Sequence, residues 1–327
     1  MRFLTKKTKT AALGAALASV AFFGGWENFD DRVNFDDSLK TYVFAQESEN
    51  GADNRAAVEF AEAKGVSYYS SENLKDADDY QKSQCRVDIL YPKKPGFATI
   101  VWFHGGGLTG GGKCVPSAFK RLKSFQEGRL AIVAVGYRLS PKVPFPVFIE
   151  DAAAATAWTL RNIGEYGGDP NAVFVSGGSA GGYLTAMIGA YPKWLNARGA
   201  DRSELAGLLP VSGQMTTHFH VKELLKYPGD QYNPVIDANA PLGGLSKDFP
   251  PTMLILGDRK IEWKCRVEEN ELMAASLKAL GAPLVEFSEN AGFTHGISGM
   301  GDDIKPELLA EIDAFLEKAL ALKKSAM

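Results

Sequence analysis

Short runs of consecutive apolar residues alternate along this chain with longer segments in which apolar residues recur at helical spacing. The runs are rich in β-branched and aromatic residues and end at turn-forming or charged positions, which is typical of strands. The predicted strands cover residues 87–91, 98–103, 130–135, 171–176, 205–209, 252–256 and 284–287. The predicted helices cover residues 151–163, 182–188, 268–280 and 305–322. This alternation predicts an α/β fold with a mostly parallel sheet and helices on both faces.

One corner between a predicted strand and a predicted helix carries a serine between small residues. Residues 177–181 have the sequence Gly-Gly-Ser-Ala-Gly and join the strand at 171–176 to the helix at 182–188. A corner of this kind is a nucleophile elbow, which lifts the serine hydroxyl above the sheet and leaves no room for side chains on either side. The segment therefore predicts Ser179 as a catalytic nucleophile, with Gly177 and Gly181 required by the tight turn.

A second glycine-rich segment, His-Gly-Gly-Gly at residues 104–107, follows the predicted strand at 98–103. Ester hydrolysis passes through a tetrahedral oxyanion, which needs backbone N–H donors already directed at it. Gly105 and Gly106 are the predicted donors in this loop, together with Ala180 after the serine. The alternative is a merely flexible loop, since residues 110–112 are also glycines. His104 is expected to anchor the loop.

The chain has four histidines, and one of them stands where a general base belongs. His295 lies in a loop bounded by Gly292 and Gly296, after the last predicted strand. A base in that position agrees with the chain order serine, acid, histidine. His218 and His220 come too early for this order, and we expect them at the surface or in the core, with a position lining the site as the alternative.

Together these segments resemble the esterases and lipases of the α/β-hydrolase fold that carry an HGGG oxyanion loop. That group includes hormone-sensitive-lipase-like carboxylesterases and acetyl- or feruloyl-esterase-like enzymes. The resemblance covers residues 80 to 322 and includes a Tyr-Arg-Leu-Ser-Pro segment at 137–141. It implies an α/β-hydrolase fold with a small cap, a Ser-His-acid triad and hydrolysis of a carboxylic ester, without a cofactor.

The acid of the triad is where the sequence departs from the family pattern. In similar enzymes the turn after the next-to-last strand has a Gly-x-x-Asp sequence, but Lys260 occupies the acid position after Gly257. A lysine cannot accept the imidazole N–H bond that orients the base. Glu262 and Asp258 lie two residues to either side and are the two candidates, with Glu262 favoured for its longer reach. Glu268, Glu269 or the absence of an acid are the remaining alternatives.

The first 45 residues predict export. Residues 1–10 carry four basic side chains, and residues 11–25 are uncharged and mostly apolar and small. This is the pattern of a secretory signal peptide, and the apolar stretch is short for a transmembrane helix. Cleavage is expected after Ala21 or after Ala45, and an uncleaved membrane anchor is the alternative. A single domain is predicted over residues 46–327, in the periplasm or outside the cell.

Composition and cysteine content limit the classes of partner, metal site and disulfide that the sequence predicts. Hydrophobic residues make up 45% of the chain, charged residues 23%, and the net charge is −3, so nothing indicates a nucleic-acid-binding surface. The sequence contains neither a Cys-x-x-Cys nor a His-Glu-x-x-His motif, so no metal site is predicted. The cysteines are Cys85, Cys114 and Cys265. Cys114 and Cys265 follow loops that this fold places at one face, so a bridge between them is one expectation and buried free thiols are the other.

The substrate is predicted only as a class. Residues 213–251 form an irregular segment with several aromatic side chains, which suits a small cap over an accessible cleft and short acyl groups. Export favours an acylated carbohydrate as the ester. Two alternatives stay open: a serine peptidase of the same fold, and a non-catalytic binding protein, which only Lys260 favours. The oligomeric state is not predicted.

Overall fold

The computed structural model describes residues 42–44 and 58–326. Of the N-terminal segment predicted at residues 1–45, only residues 42–44 are described, and Ala21 and Ala45, which precede the two predicted cleavage bonds, lie outside the described residues. Strands in the described part are Tyr42–Phe44 (β1), Val58–Ser67 (β2), Arg86–Pro92 (β3), Phe97–Phe103 (β4), Leu130–Val135 (β5), Gly168–Gly178 (β6), Gly207–Val211 (β7), Thr252–Leu256 (β8) and Val285–Glu289 (β9). Helices are Asp79–Gln84 (α1), Ser117–Lys120 (α2), Lys123–Gln126 (α3), Val147–Asn162 (α4), Ala180–Ala190 (α5), Lys193–Asn196 (α6), Phe219–Leu224 (α7), Arg266–Leu280 (α8) and Pro306–Ala326 (α9).

These strands form one mixed sheet in the order β1-β2-β3-β5-β4-β6-β7-β8-β9. The pairs from β5 through β4 to β9 are parallel, whereas β1, β2 and β3 join the edge in antiparallel pairs. Parallel neighbours direct their carboxyl ends to the same edge, which gathers the loops after β4, β6, β7 and β8. The predicted α/β class with a mostly parallel sheet is confirmed.

The sheet is buried on both faces because side chains alternate between two hydrophobic clusters. In β4, Val101 and Phe103 belong to one cluster, while Ile100 and Trp102 belong to the other. Helices α4, α5 and α8 contribute to the first cluster, and α2, α3 and α9 to the second. Every residue of β4 is buried, so this strand fixes the position of the glycine-rich loop at residues 104–107 that follows it.

Most predicted elements match the observed ones within a few residues. β7 begins two residues later than predicted, and α4 begins at Val147, directly after Pro146. β2 was not predicted, because polar residues interrupt its apolar positions and it pairs near the sheet edge. β1 lies before the predicted domain start at 46 and pairs with Val58–Phe60 of β2. The domain boundary itself stays a prediction.

All three cysteines are free thiols, so the expected bridge between Cys114 and Cys265 is absent. The side chains of Cys114 and Cys265 are exposed. The alternative expectation of buried free thiols therefore holds only for Cys85. Loop order brings two segments to one edge of a sheet, but a disulfide also requires Cβ atoms about 3.5–4.5 Å apart. Over residues 58–326, no helix has the length and apolar character needed to cross a membrane.

Candidate active site

Ser179 lies at the corner between β6 and α5 in a strained backbone conformation, with φ of 54° and ψ of −113°. Such a conformation costs about 1–3 kcal/mol and persists only where its surroundings enforce it. A Cβ on Gly181 would lie 2.0 Å from the Phe103 carbonyl oxygen, and one on Gly177 would lie 2.5 Å from the Gly181 carbonyl. The corner is therefore as tight as the sequence predicts, and Ser179 is held at its apex.

His295 connects the serine to a carboxylate. Its Nε2 lies 2.8 Å from Ser179 Oγ, and its Nδ1 lies 2.7 Å from Glu262 Oε1. His295 begins a short 3₁₀ turn, His295–Gly299, and the Thr294 hydroxyl accepts from Gly296 N–H at the start of that turn. The imidazole is 23% exposed, so it faces the cleft while both ring nitrogens are engaged. This arrangement can remove a proton from the serine and hold the resulting imidazolium.

Glu262 is enclosed by donors, and its side chain is only 1% exposed. Oε2 accepts from the Ser212 hydroxyl at 2.7 Å and from Gly257 N–H at 3.2 Å, while Oε1 also accepts from Trp263 N–H at 2.8 Å. Burial alone would raise the pKa of the Glu262 carboxyl. The hydrogen bonds from His295, Trp263 N–H and Ser212 outweigh burial and lower that pKa below its ordinary value. Glu262 is therefore ionised and fixed in one orientation.

Asp258, the other candidate acid, is not brought to His295. Its carboxylate accepts from the backbone N–H groups of Lys260 and Gly292, each at 3.0 Å, and these bonds lower its pKa. The carboxylate closes the loop after β8 against the loop that precedes His295. Lys260, which occupies the position of the family's Asp, is exposed and supplies no carboxylate. The loop turns back far enough for Glu262 to lie against His295.

The remaining candidates also lie apart from His295. Glu269 is buried, receives a 2.9 Å bond from Arg266 and accepts from Thr216. Glu268 is exposed in the first turn of α8. Among the alternatives raised by the sequence, the structure brings Glu262 and no other carboxylate to the imidazole in the described part of the chain.

The predicted oxyanion donors surround the serine. A Cβ on Gly105 would lie 3.3 Å from Ser179 Cβ and 3.1 Å from the Gly178 carbonyl oxygen, so this backbone passes directly beside the nucleophile. Gly106 has φ of 111°, and its carbonyl accepts from Gly110 N–H at 3.0 Å to close the loop. Within residues 58–326, the N–H groups of Gly105, Gly106 and Ala180 have no acceptor. They are free to bind an oxyanion.

His104 anchors this loop through its own contacts. Its ring stacks on Tyr137 with centroids 4.3 Å apart, and Nδ1 lies 2.7 Å from the Gly105 carbonyl oxygen. The Tyr137 hydroxyl donates to the His104 carbonyl at 2.8 Å. Burial lowers the pKa of His104, opposed in part by the Gly105 carbonyl. A neutral, immobile ring of this kind fixes the path of the glycines beside it.

The other two histidines lie in residues 213–251, the segment predicted to form a small cap and called the cap segment below. His218 is buried and caps α7, its Nδ1 accepting from His220 N–H at 3.2 Å. Burial, reinforced by the charges of Arg266, His220 and Lys222, lowers the pKa of His218 well below its ordinary value. His220 Nδ1 lies 2.9 Å from Glu223. Both histidine side chains are buried, which agrees with the expectation of a position in the core.

Two residues of the site were missed by the sequence analysis. Ser212, which directly follows β7 and has φ of 45°, donates to Glu262. Trp263, next to Glu262, packs edge-on against His295 with ring centroids 5.3 Å apart. A polar residue at the carboxyl end of a buried parallel strand was the available signal for Ser212. No sequence signal distinguishes Trp263 from other surface aromatics.

Known proteins share this architecture. Residues 100–298 match a family model described as alpha/beta hydrolase fold. Carboxylesterase NlhH of Mycobacterium tuberculosis is 38% identical over 104 residues, which is 31% of this chain and 32% of that protein. The matched region is thus about a third of the length of NlhH. Esterase LipQ of the same species is 25% identical over a region that makes up 53% of its length.

Solved structures agree on the fold. Esterase B from Lactobacillus rhamnosis superposes with a TM-score of 0.62 at 19% identity, over 82% of this chain and 89% of that one. At this identity the likeness concerns the fold alone.

Proposed function

This chain belongs to the α/β-hydrolase family, and we propose that within it the protein is a serine carboxylesterase acting on short-chain acyl esters. The observation that carries the proposal is the continuous series of hydrogen bonds from Ser179 Oγ through His295 to Glu262. Free backbone donors at Gly105 and Ala180 lie beside the same serine. Acyl transfer requires both parts, a nucleophile with its base and a site for the oxyanion.

The reaction follows from these contacts as a double displacement. His295 Nε2 takes the Ser179 proton while Oγ attacks the ester carbonyl carbon, and the carbonyl oxygen becomes an oxyanion bound by the N–H groups of Gly105, Gly106 and Ala180. His295 then gives its proton to the leaving alkoxide, which departs as the alcohol. Water, deprotonated by His295, attacks the acyl-serine and releases the carboxylic acid. Glu262 keeps the imidazole in the required tautomer and stabilises its cation.

The contact between Glu262 and His295 also bears on the non-catalytic alternative. Lys260 was the one feature that favoured a binding protein with a lost triad. The bond at 2.7 Å to Glu262 supports a carboxylate supplied from a different position in the same loop. With this bond present, nothing in residues 58–326 favours a defective triad.

We further propose export and an acylated carbohydrate as the natural ester. Export rests on the basic and apolar pattern of residues 1–25. Cleavage after Ala21 would keep β1, whereas cleavage after Ala45 would remove the strand that pairs with Val58–Phe60. We therefore favour Ala21. N-terminal sequencing of the protein recovered outside the cytoplasm tests this, and a chain beginning at Met1 would contradict it.

Hydrolysis of p-nitrophenyl acetate, butyrate and octanoate by the purified protein and by Ser179→Ala tests the esterase proposal. We expect turnover that declines with acyl length and falls at least about a thousandfold in Ser179→Ala. Equal rates for the two proteins would overturn a mechanism through Ser179. Faster cleavage of peptides than of esters would favour the peptidase alternative.

A further inference from the structure

Three aromatic side chains form one continuous surface beside the triad. Phe219 from α7 lies with its ring centroid 6.1 Å from that of Trp263 and 5.7 Å from that of Tyr232, and the Tyr232 and Trp263 centroids are 6.2 Å apart. The Phe219 and Trp263 rings are nearly parallel, with 18° between their planes. We call this set the aromatic platform. It joins the cap segment to the loop that carries Glu262.

Contacts with neighbouring residues hold the platform in position. His218 stacks on Phe219 with centroids 4.4 Å apart, and His218 is itself buried at the start of α7. The main chain of Trp263 donates its N–H to Glu262, and the Trp263 ring packs edge-on against His295. Rings held in this way bind a flat partner at a small cost in side-chain entropy.

The position of the platform identifies the part of the substrate that it faces. Trp263 packs against His295, and a Cβ on Gly107 in the oxyanion loop would lie 3.4 Å from Phe219 Cζ. In the proposed reaction His295 gives its proton to the leaving oxygen, so the alcohol lies on the His295 side of the scissile bond. Through Trp263 the platform therefore borders the alcohol.

Exposure and polarity narrow the chemistry of that alcohol. Trp263 is 42% exposed and Tyr232 is 40% exposed, so the platform is an open surface and not a closed apolar pocket. Exposed polar side chains flank it on the chain: Gln231 and Asn233 beside Tyr232, and Lys264 beside Trp263. A partner that fits this surface has one apolar face to lie on the rings and hydrogen-bonding groups at its edge, facing water and the flanking side chains.

We propose that the aromatic platform binds the alcohol part of the ester and that this alcohol is a sugar ring. A pyranose has an apolar face of C–H groups and a rim of hydroxyls, which matches both properties of the surface. An aliphatic alcohol lacks the rim, and a plain aryl alcohol lacks the polar groups that the flanking side chains could bind. The inference rests on the proposed esterase function and adds the recognition of the leaving group.

The test compares two acetates that share an acyl group and differ in the alcohol. One is methyl β-D-xylopyranoside acetylated on a ring hydroxyl, and the other is ethyl acetate. The ratio of kcat/KM for the sugar ester to kcat/KM for ethyl acetate is measured in wild type, Tyr232→Ala and Trp263→Ala. Leu272→Ala, which removes a side chain that is 50% exposed on α8, is the matched control.

We expect each platform variant to lower this ratio about tenfold, mostly through KM, and Leu272→Ala to leave it unchanged. Tyr232→Phe should restore most of the ratio, because the ring and not the hydroxyl forms the surface. An unchanged ratio in both platform variants would overturn the proposal. Phenyl acetate is measured as a further ester in the same variants, and a loss confined to it, which would assign the platform to aryl alcohols, would also overturn the proposal. Failure of wild type on every acetate would instead reject the esterase function itself.

Discussion

Glu262 Oε1 lies 2.7 Å from His295 Nδ1, although Glu262 stands two positions beyond the place where similar enzymes carry their acid. The longer glutamate side chain and a loop closed by Asp258 make this contact possible. The buried carboxylate is held by Ser212 and by two backbone N–H groups as well as by the imidazole. The acid function is thus supplied from a shifted position while Lys260 stays in solvent.

The two carboxylates of this loop should differ sharply in their effect on catalysis. Glu262→Gln removes the charge that stabilises the His295 imidazolium and permits the wrong tautomer, so kcat should fall about 10²–10⁴-fold. Asp258→Asn keeps an acceptor for only one of the two N–H groups, those of Lys260 and Gly292, but it leaves the charge on Glu262 in place, so kcat should fall no more than about tenfold. Steady-state kinetics on p-nitrophenyl acetate measures both. An equal loss in the two variants would contradict the assignment.

Ser212 should act as a positioning residue for Glu262. Ser212→Ala removes one charge-assisted hydrogen bond from the carboxylate, so kcat should fall about tenfold with little change in KM. Ser176→Ala is the matched control, because Ser176 is also buried and donates to a backbone carbonyl, that of Leu209, at 2.6 Å. If both variants lowered kcat to the same extent, the effect would be one of general stability.

The approach of Gly105 to Ser179 predicts a steric effect. Gly105→Ala places a methyl group 3.3 Å from Ser179 Cβ and 3.1 Å from the Gly178 carbonyl, which displaces either the oxyanion loop or the nucleophile. Since small displacements of reacting groups are costly, kcat/KM should fall about a hundredfold. Gly112→Ala, where a Cβ meets no atom within 4 Å, should be close to wild type. Comparable activity of the two variants would show that Gly105 does not border the reacting atoms.

His218 should make stability depend on pH. Burial lowers its pKa well below the ordinary value, so the folded protein keeps it neutral while the unfolded chain takes up a proton below about pH 6.5. The free energy of unfolding should therefore be highest above that pH. It should decrease as the pH drops below that value, by up to about 1.4 kcal/mol per pH unit. His218→Asn retains an acceptor at the helix cap and should flatten this decline in urea titrations between pH 7 and 5. Parallel curves for the two proteins would contradict it.

The parts of this molecule that sequence could predict are those whose requirements are local. Ser179 and its glycines are recognisable because a tight corner excludes side chains within five residues, and β4 because its whole run is apolar. Asp258 and Glu262 could not be separated in this way. Their difference depends on where the loop closes, and that depends on a bond from Gly292, 34 residues away along the chain.

Features built from distant segments escaped the sequence analysis for the same reason. Ser212 and Glu262 are 50 residues apart, and their bond follows from the parallel pairing of β7 with β8. The aromatic platform combines residues of the cap segment with Trp263, and spacing along the chain does not indicate that contact. β2 lacked a continuous apolar run and was recognisable only from its pairing.

The most direct test of the central claim is covalent labelling with a fluorophosphonate, followed by peptide mapping of the adduct. Such probes react with a serine activated by a neighbouring base, so the reaction reports on the Ser179–His295 contact itself. We expect one adduct, on Ser179, that is lost in Ser179→Ala and strongly slowed in His295→Ala. An unlabelled protein, or an adduct on another residue, would contradict the account of this site.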